Sequence, residues 1–341
     1  DCACDFRVDE IARYSTVVDM LDQATARALM KWQVASGHEP IRLDAFVREC
    51  LSHLSRREVD QAIRDGFFSI DGRVARKGDR LSAGDTLAFG GPAALLAANP
   101  LPDTSLDVPI VYEDSSILIV DKPAGIATHG FSGRDMGTLA NYISAQHPHL
   151  LGVGKNRWEP GLVHRLDSET SGLVLVAKTQ TAFDRLRQQF RRRKVAKIYW
   201  ALVWGATDAA GVIDLPLAHD PRDKRRMRAV SESLRMGKTK TWKALTRYRK
   251  LRQSGKSTLL EITMETGVTH QIRVHLAAIG HPIVADALYG DDRMNKFGLQ
   301  RHFFHACRLE FSHPEDGRVV KFETKLPGDL MEILRRLNVE L

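Results

Sequence analysis

The chain has 341 residues, 43% hydrophobic and 27% charged, with a formal net charge of +8. That length is generous for one core and suits two domains, one small and one of roughly two hundred residues or more, with the composition of an ordinary soluble globular protein. No apolar run is long enough to cross a bilayer and no charged start precedes an apolar stretch, so the cytosol is the expected location; the scattered Cys2, Cys4, Cys50 and Cys307 give neither a disulfide framework nor metal-ligand spacing.

Residues 1–40 carry 4 basic and 7 acidic side chains and no motif. The chain opens on Asp1 rather than Met, which implies a start trimmed or lying upstream, and the apolar stretch from Ala24 to Met30 predicts a short helix. From Ile41 the pattern sharpens. Arg42-Leu43-Asp44 opens an amphipathic helix with Phe46, Val47 and Leu51 on one side, and Ser55 is placed to cap a second helix holding Val59, Ile63 and the basic Arg56, Arg57 and Arg64. Gly66 ends that helix, and Phe68-Ser69-Ile70-Asp71-Gly72 reads as a strand and a tight turn. The run RLDAFV…SRREVDQAIRDGFFSIDGRVARKGDRLSAGDTL resembles the small RNA-binding domain of the ribosomal-protein type, the αL motif. The resemblance implies that the second helix and the loop after it meet RNA, through Arg56, Arg57, Arg64 and Lys77. Gly90-Gly91-Pro92-Ala93-Ala94, continuing through Pro100 and Pro102, predicts a linker that leaves this domain to move independently.

Beyond the linker, Ile110 to Asp114 and Ile117 to Gly125 read as two strands around an Asp-Ser-Ser turn. Lys122 and His129 near its end suit either a phosphate contact or a plain surface strand end, and neither is assigned to the site. The segment GLVHRLDSETSGLVLVAKT, Gly161 to Thr179, then sets one carboxylate, Asp167, in a polar loop between two short apolar runs. Gly161-Leu162-Val163 and Leu173-Val174-Leu175-Val176 read as buried strands, so the loop displays its carboxylate rather than burying it. A lone Asp among Ser, Glu and Thr is by itself a turn or cap residue; the flanking sequence argues for more.

Residues 181–260 hold 21 basic and 6 acidic side chains, densest at Arg191-Arg192-Arg193-Lys194 and at Arg222, Lys224, Arg225, Arg226 and Arg228. One such cluster is commonly a solvated face; two within forty residues favour a polyanion partner, bound less tightly as salt rises. Within this block Lys197 to Val203 alternates as a strand, with Ile198, Trp200 and Leu202 on one face and Tyr199, Ala201 and Val203 on the other. Glu265 to Leu276 leads into a helix capped by Thr269 and stopped by Gly280, with Ile272, Leu276 and Ile279 facing the core. Arg273, near its positive end, is placed to keep a buried carboxylate ionised by pairing and dipole together. Ile283 to Gly290 and the strand Phe304 to Phe311 follow.

His164-Arg165-Leu166-Asp167, with Pro160-Gly161 before it and Thr170-Ser171-Gly172 after it, resembles the central motif of the RluA-type pseudouridine synthases, the RNA uridine isomerases. KIYWALVWG resembles that family's KxYxAxVxG; ETGVTHQIRVHL resembles its TGRTHQIR, with Val268 where the first Arg stands; IVADALYG resembles VGDxxYG, with Ala285 for Gly. The resemblance runs in order from about Ile41 to Leu330.

It implies an α+β protein: a residue 1–40 extension, an αL-type RNA-binding domain over 41–90, a linker over 91–105, and a catalytic domain over 106–341 with a mixed, largely antiparallel central sheet flanked by helices. It implies Asp167 as nucleophile, Tyr199 against the target base and Arg273 paired with Asp167. Arg165, next to Asp167, suits either the space vacated by an extruded base or a plain loop contact with phosphate; His164 would contact substrate beside it, Leu309 would line the uracil pocket, and Arg222, Lys224, Arg225 and Arg226 would hold RNA. Isomerisation involves no redox change or group transfer, so no cofactor or metal is expected. The expected partner is structured RNA, ribosomal RNA of the large subunit before transfer RNA, met by a monomer. A glycosidase-like hydrolase needs two facing carboxylates, and Glu169 stands too near Asp167 for that. An RNA-binding factor without catalysis is disfavoured by the presence of Asp167, Tyr199 and Arg273 together.

Overall fold

The computed structural model describes residues 14–22, 27–35, 40–52, 54–92, 95–96, 99–130, 135–230, 240–290 and 297–340; Cys2, Cys4, Ala24 and residues 93–94 of the expected linker lie outside them. The chain divides into two compact units, one ending at Leu101 and the other starting at Pro102. None of the described helices is long and apolar enough to cross a membrane.

In the first unit the strands are β1 (Tyr14–Asp22), β2 (Arg27–Val34), β3 (Ile41–Arg42), β4 (Phe68–Ile70), β5 (Arg73–Val74), β6 (Arg80–Leu81) and β7 (Thr86–Phe89). Helices α1 (Leu43–Cys50) and α2 (Arg56–Arg64) bury Phe46 and Val47, and Val59 and Ile63, as their spacing requires. Ser55 caps α2 through a reciprocal pair: Glu58 N donates to Ser55 Oγ at 3.3 Å and Ser55 N donates to Glu58 Oε2 at 2.7 Å. The helix expected within 24–30 is instead strand from Arg27 onward. Trp32 and Val34 are buried while Lys31 and Gln33 are exposed, a period of two that a sheet satisfies and a helix does not. β2 pairs with β7, Trp32 opposite Leu87, so the small core draws on residues before Ile41. It also reaches past residue 90, because Leu95 is buried in it where a linker was expected.

The second unit holds β8 (Ile110–Glu113), β9 (Ile117–Lys122), β10 (Ser171–Ala177), β11 (Ala196–Trp204), β12 (Ala210–Asp214), β13 (Leu217–His219), β14 (Met227–Ala229), β15 (Leu245–Ser254), β16 (Ser257–Met264), β17 (Phe304–Ser312) and β18 (Val319–Glu323). Its helices are α3 (Leu139–Gln146), α4 (Gln180–Arg191), α5 (Gln271–Ala278) and α6 (Gly328–Arg336). One nine-stranded sheet runs β12-β15-β16-β11-β17-β10-β9-β8, with β18 also on β17. Every pairing in it is antiparallel except β10 with β17. The sheet is mixed and largely antiparallel, and the fold is α+β.

β10 is buried along its whole length. Val174 and Val176 pack with Leu118, Tyr199 and Ile272, while Leu173 and Leu175 pack with Phe183 and Leu186 of α4. Each such side chain contributes about 1.5–3 kcal/mol by leaving water, which makes β10 a rigid base for the loop before it. Gly161-Leu162-Val163, read from sequence as a strand, makes a single bridge, Leu162 to Val176. Gly161 is left-handed (φ 64) and the Ala177 carbonyl lies where its Cβ would be, so the run touches β10 once and turns away.

Candidate active site

The loop from His164 to Thr170 is held at several backbone and side-chain groups. Thr128 Oγ1 donates to Leu166 O at 2.8 Å and accepts from Leu166 N at 3.0 Å. Lys122 is fully buried, and its Nζ donates to the carbonyls of Pro123 and Ile126 at 2.8 Å and of Ser168 at 3.0 Å. It is an internal clamp, not the phosphate contact or surface strand end that the sequence suggested; burial pushes its ammonium down to about 7. Arg301, forked onto Asp329 at 2.7 and 3.0 Å, also donates to Glu169 O and Ser171 Oγ. His302 and Thr170 share a hydrogen bond of 2.9 Å, as do His305 and Ser171. Burial pushes both imidazoles down to about 4, so both are neutral at pH 7. Directly after the loop, Gly172 (φ 121) lies against Ala306, whose backbone would collide with a Cβ; a residue without a side chain lets β10 meet β17 there.

His164 lies under the loop. Leu175 N donates to its Nε2 at 2.9 Å and its ring stacks on Phe190 at 5.2 Å. Burial, then the charges of Lys197 and Arg187, push it down to about 3, so it accepts as a neutral ring.

Asp167 carries its carboxylate out of this frame, and Arg273 Nη1 donates to it at 2.8 Å. The other edge of Arg273 donates to Asp286 through Nε and Nη2, both at 2.8 Å. Asp286 is fully buried and also accepts from Leu288 N and Tyr289 N. Burial works against the Arg273 charge, but the hydrogen bonds and charge of Asp286, then of Asp167, outweigh it and its pKa rises. Burial likewise opposes ionised Asp286, and Arg273 wins, holding that carboxyl below its usual range. A guanidinium forked between two carboxylates has a fixed orientation as well as a fixed charge. His270 stands 3.8 Å from Asp167 through Nε2, while its Nδ1 shares a 2.8 Å hydrogen bond with Tyr289 Oη. It is this residue, left-handed at φ 55, that precedes α5 as N-cap, not Thr269 as the spacing predicts.

Over Asp167 opens a cavity of about 560 Å³. Tyr199 and Phe304 line it and stack on each other, centroids 5.0 Å apart and planes 20° from parallel. Tyr199 is 4% exposed; burial, then the Asp167 charge, raises its phenol above the ordinary value. Arg165, Arg187, Arg191, Arg193, Lys197, Lys243 and Arg273 line the same space, against the carboxylates of Asp167 and Glu265. The arrangement presents a carboxylate beside an aromatic surface in a cationic recess, which suits a planar base on an anionic chain.

A family model described as RNA pseudouridylate synthase matches residues 116–278, and one described as S4 domain matches residues 41–87. An RNA pseudouridine synthase of Chloroflexus aurantiacus, itself named uncharacterized, is 41% identical over 297 residues, 87% of this chain and 90% of its own. The chain belongs to the RNA pseudouridine synthase family. Ribosomal large subunit pseudouridine synthase D of Xanthomonas campestris and of Pseudomonas aeruginosa are each 35% identical over 308 residues, 87% of this synthase and 89% and 92% of their own lengths. Among solved structures, human RNA pseudouridylate synthase domain containing 4 aligns with a TM-score of 0.53 at 26% identity, over 68% of this synthase and 94% of that chain.

Of the residues singled out in the sequence, the synthase gathers Asp167, Tyr199, Arg273, Arg165 and His164 at one cavity. Leu309 is not among them. It is 2% exposed and packs with Phe311 of the same strand face and with Phe183 and Leu186 of α4, a core contact that keeps it from the cavity. Arg222, Lys224, Arg225 and Arg226 do not line the cavity either. Arg225 pairs with Asp223 at 2.9 Å, and Arg226 lies 5.3 Å from the Tyr289 ring centre. Tyr289 Oη also accepts from Met227 N at 2.8 Å, which ties the basic stretch to the residue that holds His270. Arg56, Arg57 and Arg64 are exposed on α2, and Lys77 pairs with Asp60 at 2.8 Å. Sequence reasoning missed Asp286, His270, Phe304 and the clamp of Thr128, Lys122, Arg301 and His302. Asp286 had a readable signal, a lone acid inside the apolar Ile283 to Leu288 run.

Proposed function

We propose that this synthase converts uridines of structured RNA, those of large-subunit ribosomal RNA in particular, to pseudouridine with Asp167 as the nucleophile. The substrate class is supported by the relatives named for the large ribosomal subunit, which match along most of their length. The residue roles rest above all on one observation: the Asp167 carboxylate faces a cationic cavity while Arg273, itself gripped by buried Asp286, holds it at 2.8 Å.

Uridine must lose its bond from ribose carbon 1 to ring nitrogen, turn, and gain a bond to ring carbon 5, with all atoms conserved. A carboxylate assists by adding to the nucleoside or by taking a ribose proton, and for both routes Arg273 holds the Asp167 carboxylate in one orientation. The target base leaves its stack to reach Asp167 and lies against Tyr199, which Phe304 supports from behind. Arg165, exposed at the cavity, fills the space the base leaves. The small unit holds RNA through Arg56, Arg57, Arg64 and Lys77.

Asp167→Asn in the full chain tests this reading. The variant is expected to form no pseudouridine while binding RNA nearly as well as the wild type; conversion at the wild-type rate would refute the nucleophile. Mapping pseudouridine in cellular RNA with and without the protein tests the substrate, and loss confined to transfer RNA would overturn the ribosomal assignment.

A further inference from the structure

We infer that Lys197 is a receptor for a backbone phosphate of the RNA, set beside the place where the base is bound. The inference rests on reading the cavity as the site of uridine isomerisation.

Lys197 and Tyr199 lie two residues apart on β11, share its buried face and both line the cavity. Along a strand that separates them by about 7 Å, the scale of one nucleotide. Lys197 is 8% exposed. Among the described residues no carboxylate, carbonyl or hydroxyl accepts a hydrogen bond from its Nζ, which lies beside Gly267 and 5.8 Å from the ring centre of Phe190. The contrast with the other deeply buried lysine is plain, since Lys122 Nζ has three carbonyl acceptors. Desolvation alone, with no acid to offset it, pushes Lys197 down to about 8.

An ammonium held largely out of water without a counter-charge is costly, and the neighbouring groups deepen that cost. Arg187, Arg191 and Arg193 line the same cavity, and Arg187 and Lys197 both act on His164 to keep it neutral. Such a cluster is relieved by an anion arriving from outside. A uracil carbonyl brings only a partial charge, whereas an RNA phosphate brings a full one. With the base against Tyr199, the phosphate on Lys197 sets how far the nucleotide enters toward Asp167.

The test combines protein and RNA substitutions in the full chain, using a stem-loop RNA that the wild type converts. Each phosphate around the target uridine is replaced in turn by a neutral methylphosphonate. One linkage is expected to weaken wild-type binding about tenfold or more, and Lys197→Met to weaken binding of the unmodified RNA similarly, with the loss appearing in KM. Combining the two is expected to add little, as for partners in one contact. The slope of log affinity against log salt is expected to be shallower by about one in Lys197→Met and restored in Lys197→Arg. No sensitive linkage for the wild type, or full additivity with Lys197→Met, would overturn the inference, and the first result needs no variant to fold. Wild-type conversion of the same RNA, lost in Asp167→Asn, reports on the cavity separately: with conversion intact and no linkage coupled to Lys197, only the phosphate site falls.

Discussion

The loop that carries Asp167 and the basic stretch from Arg222 to Arg226 are built on opposite principles. Around Asp167, Thr128, Lys122, Arg301, His302 and His305 fix backbone and hydroxyl groups from five directions. In the basic stretch Arg222, Lys224 and Arg225 are exposed, and Arg225 is paired only with a neighbour two residues away. A reacting carboxylate has to occupy one position relative to its substrate, which demands buried, redundant hydrogen bonds. A charge that attracts a polyanion acts over a Debye length and tolerates motion, so local pairing suffices.

The sharpest way to break this contrast is at the Arg273 fork. Arg273→Ala is expected to reduce single-turnover conversion by two orders of magnitude or more, because Asp167 loses its partner; full activity would contradict the ion-pair argument. Asp286→Ala leaves a buried guanidinium half-matched and is expected to cost about 3–5 kcal/mol in urea unfolding and to slow conversion strongly although it touches no substrate. Acidification comes next. His302 and His305 are neutral in the fold, with values near 4, but take protons near 6.5 when unfolded. Their contribution is complete above pH 6.5 and is lost as pH falls toward 4; the fall in unfolding midpoint should be blunted in the double variant His302→Gln/His305→Gln.

Smaller effects test the frame itself. Thr128→Val removes both hydrogen bonds to Leu166 and is expected to cost about 1–3 kcal/mol, with kcat falling more than RNA affinity. Ala285→Gly is expected to raise stability by up to about 1 kcal/mol, since Ala285 sits in the left-handed region at φ 59. Arg225→Ala should leave the unfolding midpoint within error and flatten the salt dependence of RNA binding only slightly; a large loss of conversion there would mean that the basic stretch positions substrate after all.

Much of the fold was legible because its signals are local. The cap at Ser55, the apolar faces of α1 and α2, the hairpin of β8 and β9 and the alternation of β11 are each written within a dozen residues. The Asp167 loop was legible through its motif. What escaped depends on partners distant in the chain. Asp286 becomes a counter-ion only when α5 brings Arg273 beside it, and the face that Leu309 occupies is decided by α4, more than a hundred residues earlier. The short apolar stretch ending at Met30 suited a helix until β7 offered it an edge. His270 in place of Thr269 before α5 reflects a left-handed backbone, uncommon for any residue but glycine, which the usual preference for a Thr cap does not anticipate.

One connection carries a consequence for biosynthesis. β17 lies between β10 and β11, pairing with both, and the residues just before it supply Arg301 and His302. A nascent chain that has not yet delivered residues 301–312 therefore has a divided sheet and an unfastened loop at Asp167. Synthesis must therefore pass residue 312 before the two halves of the sheet join and the loop is fastened, so any shorter nascent chain is catalytically silent.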